Sequence, residues 1–108
     1  MEQNPISVTF DEAFEMLSRD DSVLLFDVRS EAEYIVGHAE GAALFPLPGI
    51  DEETAAQNIP SKSTPVVLYC KSGKRAAQAC GKLCAYGYER VYNLGSLIGW
   101  PYGIEQGD

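Results

Sequence analysis

Apolar residues along this chain fall into two kinds of segment, short unbroken runs and longer stretches with helical spacing. Thr9 followed by Glu12 has the form of a capping box, and Phe10, Ala13, Phe14 and Leu17 then recur on one helical face, which predicts a first helix from Phe10 to Ser18. Asp20-Asp21-Ser22 breaks it. The run Val23-Leu24-Leu25-Phe26 is continuous, as expected of a strand buried on both faces of a parallel sheet. Ser30 with Glu33 forms a second capping box and opens a short helix that Gly37 ends. Ala42 to Phe45 predicts a short strand closed by Pro46 and Pro48, and Asp51 caps a further helix through Asn58. Val66-Val67-Leu68-Tyr69 is the second strongly buried strand. It runs directly into Cys70-Lys71-Ser72-Gly73-Lys74-Arg75 and a helix from Arg75 to Tyr86, with Gly87 as its stop. Val91-Tyr92-Asn93-Leu94 is a last short strand before a glycine-rich tail carrying Trp100.

Strands alternating with helices imply an α/β fold, a parallel sheet covered on both faces, because parallel neighbours need crossover connections. The 108 residues have room for one domain, residues 1–108. In such sheets ligands bind beyond the carboxyl ends of the strands. The two most buried strands end there in polar groups, Asp27-Val28-Arg29 and the Cys70 loop.

Composition narrows the function classes. Hydrophobic residues make up 45% and charged residues 22%, a globular balance rather than a disordered one. Eight Lys and Arg against sixteen Asp and Glu give a net charge of -8, which argues against gripping a nucleic-acid backbone. No stretch approaches the roughly 20 apolar residues of a membrane span. Met1-Glu2-Gln3-Asn4-Pro5 lacks the basic start and apolar run of a secretory signal, so a cytoplasmic location is the expectation, and the chain is expected to be a monomer. The three cysteines, Cys70, Cys80 and Cys84, cannot all pair within one chain, and none stands in a Cys-x-x-Cys motif. The only histidine, His38, is far from them, so a metal is not expected.

Candidate chemistry concentrates in one loop. Lys71, Lys74 and Arg75 place three of the eight basic residues within six positions, alongside Ser72 and Gly73. A helix start offers N–H groups without intrahelical partners, and a glycine lets several of them converge on one point. A thiol at such a place is expected to ionise readily, since helix starts and basic neighbours favour the thiolate. A hundredfold shift toward the anion takes about 2.7 kcal/mol, whereas a helix terminus supplies roughly 0.3–2 kcal/mol, so the basic side chains must contribute the rest. Cys70 is therefore the expected nucleophile, with Lys71, Ser72, Gly73, Lys74 and Arg75 binding the substrate. The bland alternative, a small residue filling the core, suits Cys80 and Cys84 better: they lie one helical turn apart in an apolar set with Ala76, Ala77, Ala79 and Leu83.

The residues also resemble a known family. Phe26-Asp27-Val28-Arg29-Ser30-Glu31-Ala32-Glu33-Tyr34-Ile35-Val36-Gly37-His38-Ala39-Glu40-Gly41-Ala42 is similar to the first signature of the rhodaneses. Val67-Leu68-Tyr69-Cys70-Lys71-Ser72-Gly73-Lys74-Arg75 resembles their active-site loop, and Gly87 through Leu94 and on to Trp100 resembles their closing segment. The likeness covers nearly the whole chain in order. It implies a five-stranded parallel sheet flanked by helices and a sulfurtransferase of the rhodanese type. Sulfane sulfur would pass from thiosulfate, or a persulfide donor, to Cys70 as a persulfide, and then to cyanide, a thiol or a thiol protein, with no cofactor. The chain departs from the pattern at Ser96-Leu97, where family members often carry further glycine, and at Glu31 to Tyr34, where two-domain thiosulfate enzymes often carry a basic residue.

The other polar residues have duller readings beside the functional ones. Asp27 and Arg29 would support the catalytic loop from the neighbouring strand end, or form a plain ion pair or cap. His38 reads as a packed, hydrogen-bonded turn residue, because a thiolate ionised by its loop needs no general base. Trp100 and Tyr102 read as core cover. Two rival functions use the same residues: a cysteine phosphatase or arsenate reductase, whose phosphatase loop is one residue longer with arginine where Ala76 stands, and a silent interaction module, which commonly lacks the cysteine.

Overall fold

The computed structural model describes residues 4–107. Its main sheet has five strands: β1 (Ile6–Ser7), β2 (Leu24–Asp27), β4 (Ala43–Leu44), β5 (Val66–Cys70) and β6 (Val91–Ser96). Their order is β1-β6-β5-β2-β4 and every pairing is parallel. Helices α1 (Phe10–Arg19), α2 (Glu31–Val36), α3 (Glu52–Asn58) and α4 (Lys74–Ala85) supply the crossovers. All five residues of the central strand β5 are buried. Side chains alternate across a strand, so β5 feeds two cores. Val66, Leu68 and Cys70 pack with Phe26, Ile50, Ile59 and Leu83 beneath α3 and α4, while Val67 and Tyr69 pack with Ala13, Leu25, Leu94 and Trp100 beneath α1.

The helix starts follow from local chemistry. Thr9 Oγ1 accepts from the Glu12 N–H while Glu12 bonds back to the Thr9 N–H, and Ser30 with Glu33 and Asp51 with Thr54 repeat the device. Helix α4 begins differently, at Gly73, whose φ of +98° lies in the left-handed region and which brings no capping side chain.

Three short strands carry no pattern of their own. Strand β1 completes the five-stranded sheet by pairing Ile6 and Ser7 with Tyr92 and Asn93, although both of its residues are exposed. Strands β3 (His38–Ala39) and β7 (Ile104–Glu105) form a separate antiparallel pair that ties the C-terminal tail beside α2. Strand β6 also runs further than its apolar run predicts. A bulge sets Leu68 opposite Asn93 but Tyr69 opposite Gly95, and so brings Ser96 alongside Cys70.

Candidate active site

Cys70 ends β5, and the loop after it turns its backbone toward the sulfur. The N–H of Gly73 donates to Cys70 Sγ at 2.9 Å and the N–H of Ala76 at 3.3 Å. The sulfur thus takes the place that a capping side chain holds at the other helices. The positive φ of Gly73 is what permits the turn; a Cβ there would meet Gly95 only at 3.7 Å, so conformation rather than space demands glycine. Two residues outside the loop hold it from behind. Ser96 Oγ donates to the Lys71 carbonyl at 2.5 Å, and the Leu97 N–H donates to the Cys70 carbonyl at 2.9 Å. These are the residues at which the chain departs from the family pattern, and the β6 bulge is what delivers them.

The loop's three cations are not equivalent. Arg75 forms a two-pronged pair with Glu33 of α2, Nη1 to Oε1 at 2.7 Å and Nη2 to Oε2 at 3.0 Å. The Arg75 hydrogen bonds and charge hold the Glu33 carboxyl down at about 2, and Glu33 in turn raises the Arg75 guanidinium. That pairing leaves exposed Lys71 and Lys74 as the loop's unmatched positive charge. Ser72 is exposed as well.

Asp27 and Arg29 form a buried pair, with Asp27 wholly enclosed and Arg29 8% exposed. Arg29 Nη2 donates to Asp27 Oδ2 and to the Gly37 carbonyl, both at 2.6 Å, and Nε donates to both carboxylate oxygens at 3.0 Å. The Tyr69 hydroxyl donates to Asp27 Oδ2 at 2.7 Å and accepts from the Ala39 N–H at 3.0 Å. Burial pushes the Tyr69 hydroxyl well above its ordinary range, which keeps it a donor. The surface ion pair allowed by the sequence is therefore replaced by an enclosed network. It joins the ends of β2 and β5 to β3, and its hydrogen bonds go to that scaffold rather than to the Cys70 loop.

A cleft of about 550 Å³ opens beside the loop, lined by Arg29, Glu33 and Lys71 together with apolar residues of α2, the segment after β6, and β7. Cys70 itself has no exposed surface. Trp100 is buried against Phe10 in an edge-on contact and also forms part of the cleft wall; Tyr102 stacks on Phe14. His38 is 4% exposed, stacks on Tyr34 and donates from Nδ1 to the Tyr34 carbonyl at 2.8 Å. Cys80 and Cys84 lie on the buried face of α4, and burial pushes the Cys80 thiol up to about 12.

The chain matches the rhodanese-like domain family over residues 9–100. It is 41% identical over 85 residues to a sulfurtransferase of Allochromatium vinosum, an alignment covering 78% of this chain and 77% of the relative. The thiosulfate sulfurtransferase PspE of Escherichia coli is 37% identical over 71 residues, 66% of this chain and 67% of the relative. A tRNA uridine(34) hydroxylase of Protochlamydia amoebophila is 33% identical over 99 residues, 86% of this chain, but the chain spans only 30% of that protein. Among solved structures, a rhodanese with anions from Escherichia coli superposes with a TM-score of 0.73 at 32% identity, over 79% of this chain and 99% of the other. The matched span runs from the Thr9 cap of α1 to Trp100 and takes in the whole Cys70 loop, and on that ground the chain belongs to the rhodanese-like domain family.

Proposed function

We propose that this protein is a sulfurtransferase that carries sulfane sulfur on Cys70, drawing it from thiosulfate or a persulfide and passing it to cyanide or a thiol. The observation that carries the reading is the pair of N–H groups, from Gly73 and Ala76, aimed at Sγ. Converging amides stabilise a sulfur anion, and a sulfur anion is both the nucleophile and the product of the first half-reaction. The sulfurtransferase relatives support sulfur transfer as the reaction type.

In the first half-reaction the Cys70 thiolate attacks the terminal sulfur of thiosulfate. An S–S bond forms, the donor's own S–S bond breaks, and sulfite leaves with the bonding pair. In the second, cyanide takes the outer sulfur as thiocyanate and the thiolate returns. No net proton moves in either step. The unmatched charge of Lys71 and Lys74 draws in the anionic donor, and Arg75, oriented by Glu33, adds to the positive field beside Cys70. The N–H groups of Lys74 and Arg75, in the first turn of α4, lack intrahelical acceptors and are available to the outer sulfur, and Ser72 lies at the loop tip. Asp27 and Arg29 act by keeping the strand ends in place. Because Cys70 has no exposed surface at rest, the donor's sulfur reaches it when the loop side chains part. A monomer in a reducing cytoplasm suits three unpaired cysteines and a chemistry that needs one of them free.

Thiocyanate formation from thiosulfate and cyanide tests the proposal. Wild type should turn over, Cys70→Ala should lose all activity, and Lys71→Ala should need more thiosulfate to reach the same rate. Equal activity in all three would overturn the assignments. Robust hydrolysis of an aryl phosphate, abolished by Cys70→Ser, would favour the phosphatase instead.

A further inference from the structure

Six large apolar side chains are exposed among the described residues, and three of them, Val36, Ile98 and Ile104, stand around the cleft beside the Cys70 loop. They come from α2, the segment after β6, and β7, so three separate parts of the chain converge to build the same apolar wall. Exposed apolar surface gathered at one concave place marks a binding site more often than scattered residues do. The cleft adjoins the chemistry directly. Lys71, the residue after Cys70, lines it, and so does Leu97, whose N–H holds the Cys70 carbonyl.

Size and charge narrow the occupant. The cleft's 550 Å³ falls within the roughly 300–1,000 Å³ of small-molecule sites. Thiosulfate, a small and strongly hydrated dianion, gains nothing from walls of Val36, Ile98 and Ile104. Arg29 is neutralised by Asp27, and Glu33 by Arg75, so Lys71 brings the one unmatched charge to the cleft lining. One positive charge beside an apolar wall suits an occupant with a single negative charge and an apolar body.

We infer that the cleft selects organic sulfane-sulfur donors, an aliphatic body ending in one anionic terminal sulfur, over inorganic thiosulfate, with Ile98 and Ile104 as the specificity-determining residues. The inference rests on the sulfur-transfer reading above. With an alkanethiosulfonate, R–SO2–S⁻, the Cys70 thiolate attacks the terminal sulfur, the new S–S bond forms, the donor's S–S bond breaks, and the sulfinate R–SO2⁻ leaves with the electron pair. One anionic persulfide and one anionic sulfinate replace two anions, so charge and atoms balance without an added oxidant or reductant.

The test compares methanethiosulfonate with butanethiosulfonate as donors to the whole protein, each rate normalised to that donor's reaction with a free thiol. A fully buried methylene is worth roughly fourfold in affinity. Partial burial of three of them in an open cleft should raise kcat/KM about tenfold for the longer donor. Ile98→Ser and Ile104→Ser should cut that advantage below about threefold, whereas Ile6→Ser, as exposed as Ile104 but on β1, should leave it intact. Binding is read separately from chemistry through Trp100, the chain's single tryptophan and part of the cleft wall. Its fluorescence should respond to unreactive butanesulfonate at about tenfold lower concentration than to methanesulfonate. Equal efficiency of the two donors, with Cys70 loaded by both, would overturn the inference and leave sulfur transfer standing. Failure of every donor, thiosulfate included, to load Cys70 would overturn both.

Discussion

Glu33, in the first turn of α2, grips Arg75, in the first turn of α4, through paired hydrogen bonds of 2.7 and 3.0 Å. The same carboxylate caps its own helix by accepting from the Ser30 N–H at 3.1 Å. One side chain therefore fixes where α2 begins and where the loop's guanidinium lies. Its carboxyl stands at about 2 against an ordinary 4.5, chiefly because of Arg75. A depressed carboxyl stabilises the fold above the unfolded value and loses that contribution as pH falls through the folded one. Glu33→Gln should thus be less stable than wild type at neutral pH, with the gap closing between about 4.5 and 2. Urea denaturation across that range checks it. Both side chains are about a third exposed, so the gap should be modest and should shrink in high salt.

Gly73 adopts a φ of +98° so that its N–H can reach Cys70 Sγ. Gly73→Ala should cost about 1–2 kcal/mol of stability, the usual penalty for a side chain in the left-handed region. Because the strained residue is also a donor to the sulfur, sulfur transfer should fall by about tenfold or more, beyond what unfolding explains; loss of a preorganised donor commonly does more than that. Thiocyanate assays on variant shown to be folded by circular dichroism decide the matter.

The Asp27 network should behave as scaffold. Asp27→Ala strands the Arg29 guanidinium in the interior, and breaking a buried pair this way costs about 3–5 kcal/mol. Tyr69→Phe removes one hydroxyl, leaves the Ala39 N–H without its partner, and should cost about 1–3 kcal/mol. The Tyr69→Phe protein should still acquire sulfur on Cys70. A denaturation midpoint and a mass spectrum on the same sample separate the two effects.

Cys80 should be inert in the native state. Its thiol is buried and pushed up to about 12, so thiolate is scarce at mildly alkaline pH. Mild alkylation followed by peptide mapping should leave Cys80 unmodified until denaturant is added. Cys80→Ala should retain sulfur transfer.

The main architecture was legible because long patterns announce it. Val23 to Phe26 and Val66 to Tyr69 read as buried strands, and the observed strands, Leu24–Asp27 and Val66–Cys70, each end one residue later; the capping residues Thr9, Ser30 and Asp51 mark helix starts within a residue of those observed. The place of the Cys70 loop between β5 and α4 was legible for the same reason: strand, cysteine, glycine and basic residues follow one another in sequence. What escaped depends on partners far away. Strands β1, β3 and β7 hold two residues each, too few for a period, and exist through pairing with β6 or with each other. Glu33 reads locally as a cap, and nothing near it signals Arg75, which stands 42 residues on. Asp27 and Arg29, with one residue between them, fit a surface pair as well as a buried one until Tyr69 and Gly37 close over them. The cleft is the extreme case, since Val36, Ile98 and Ile104 each look like ordinary surface residues until the fold assembles them.

The most direct test of the central claim is the intact mass of the protein after exposure to thiosulfate under non-reducing conditions, followed by peptide mapping. The account predicts a gain of one sulfur atom, located on Cys70, removed by cyanide and absent from Cys70→Ala. An unchanged mass, or added sulfur residing on Cys80 or Cys84, would contradict it.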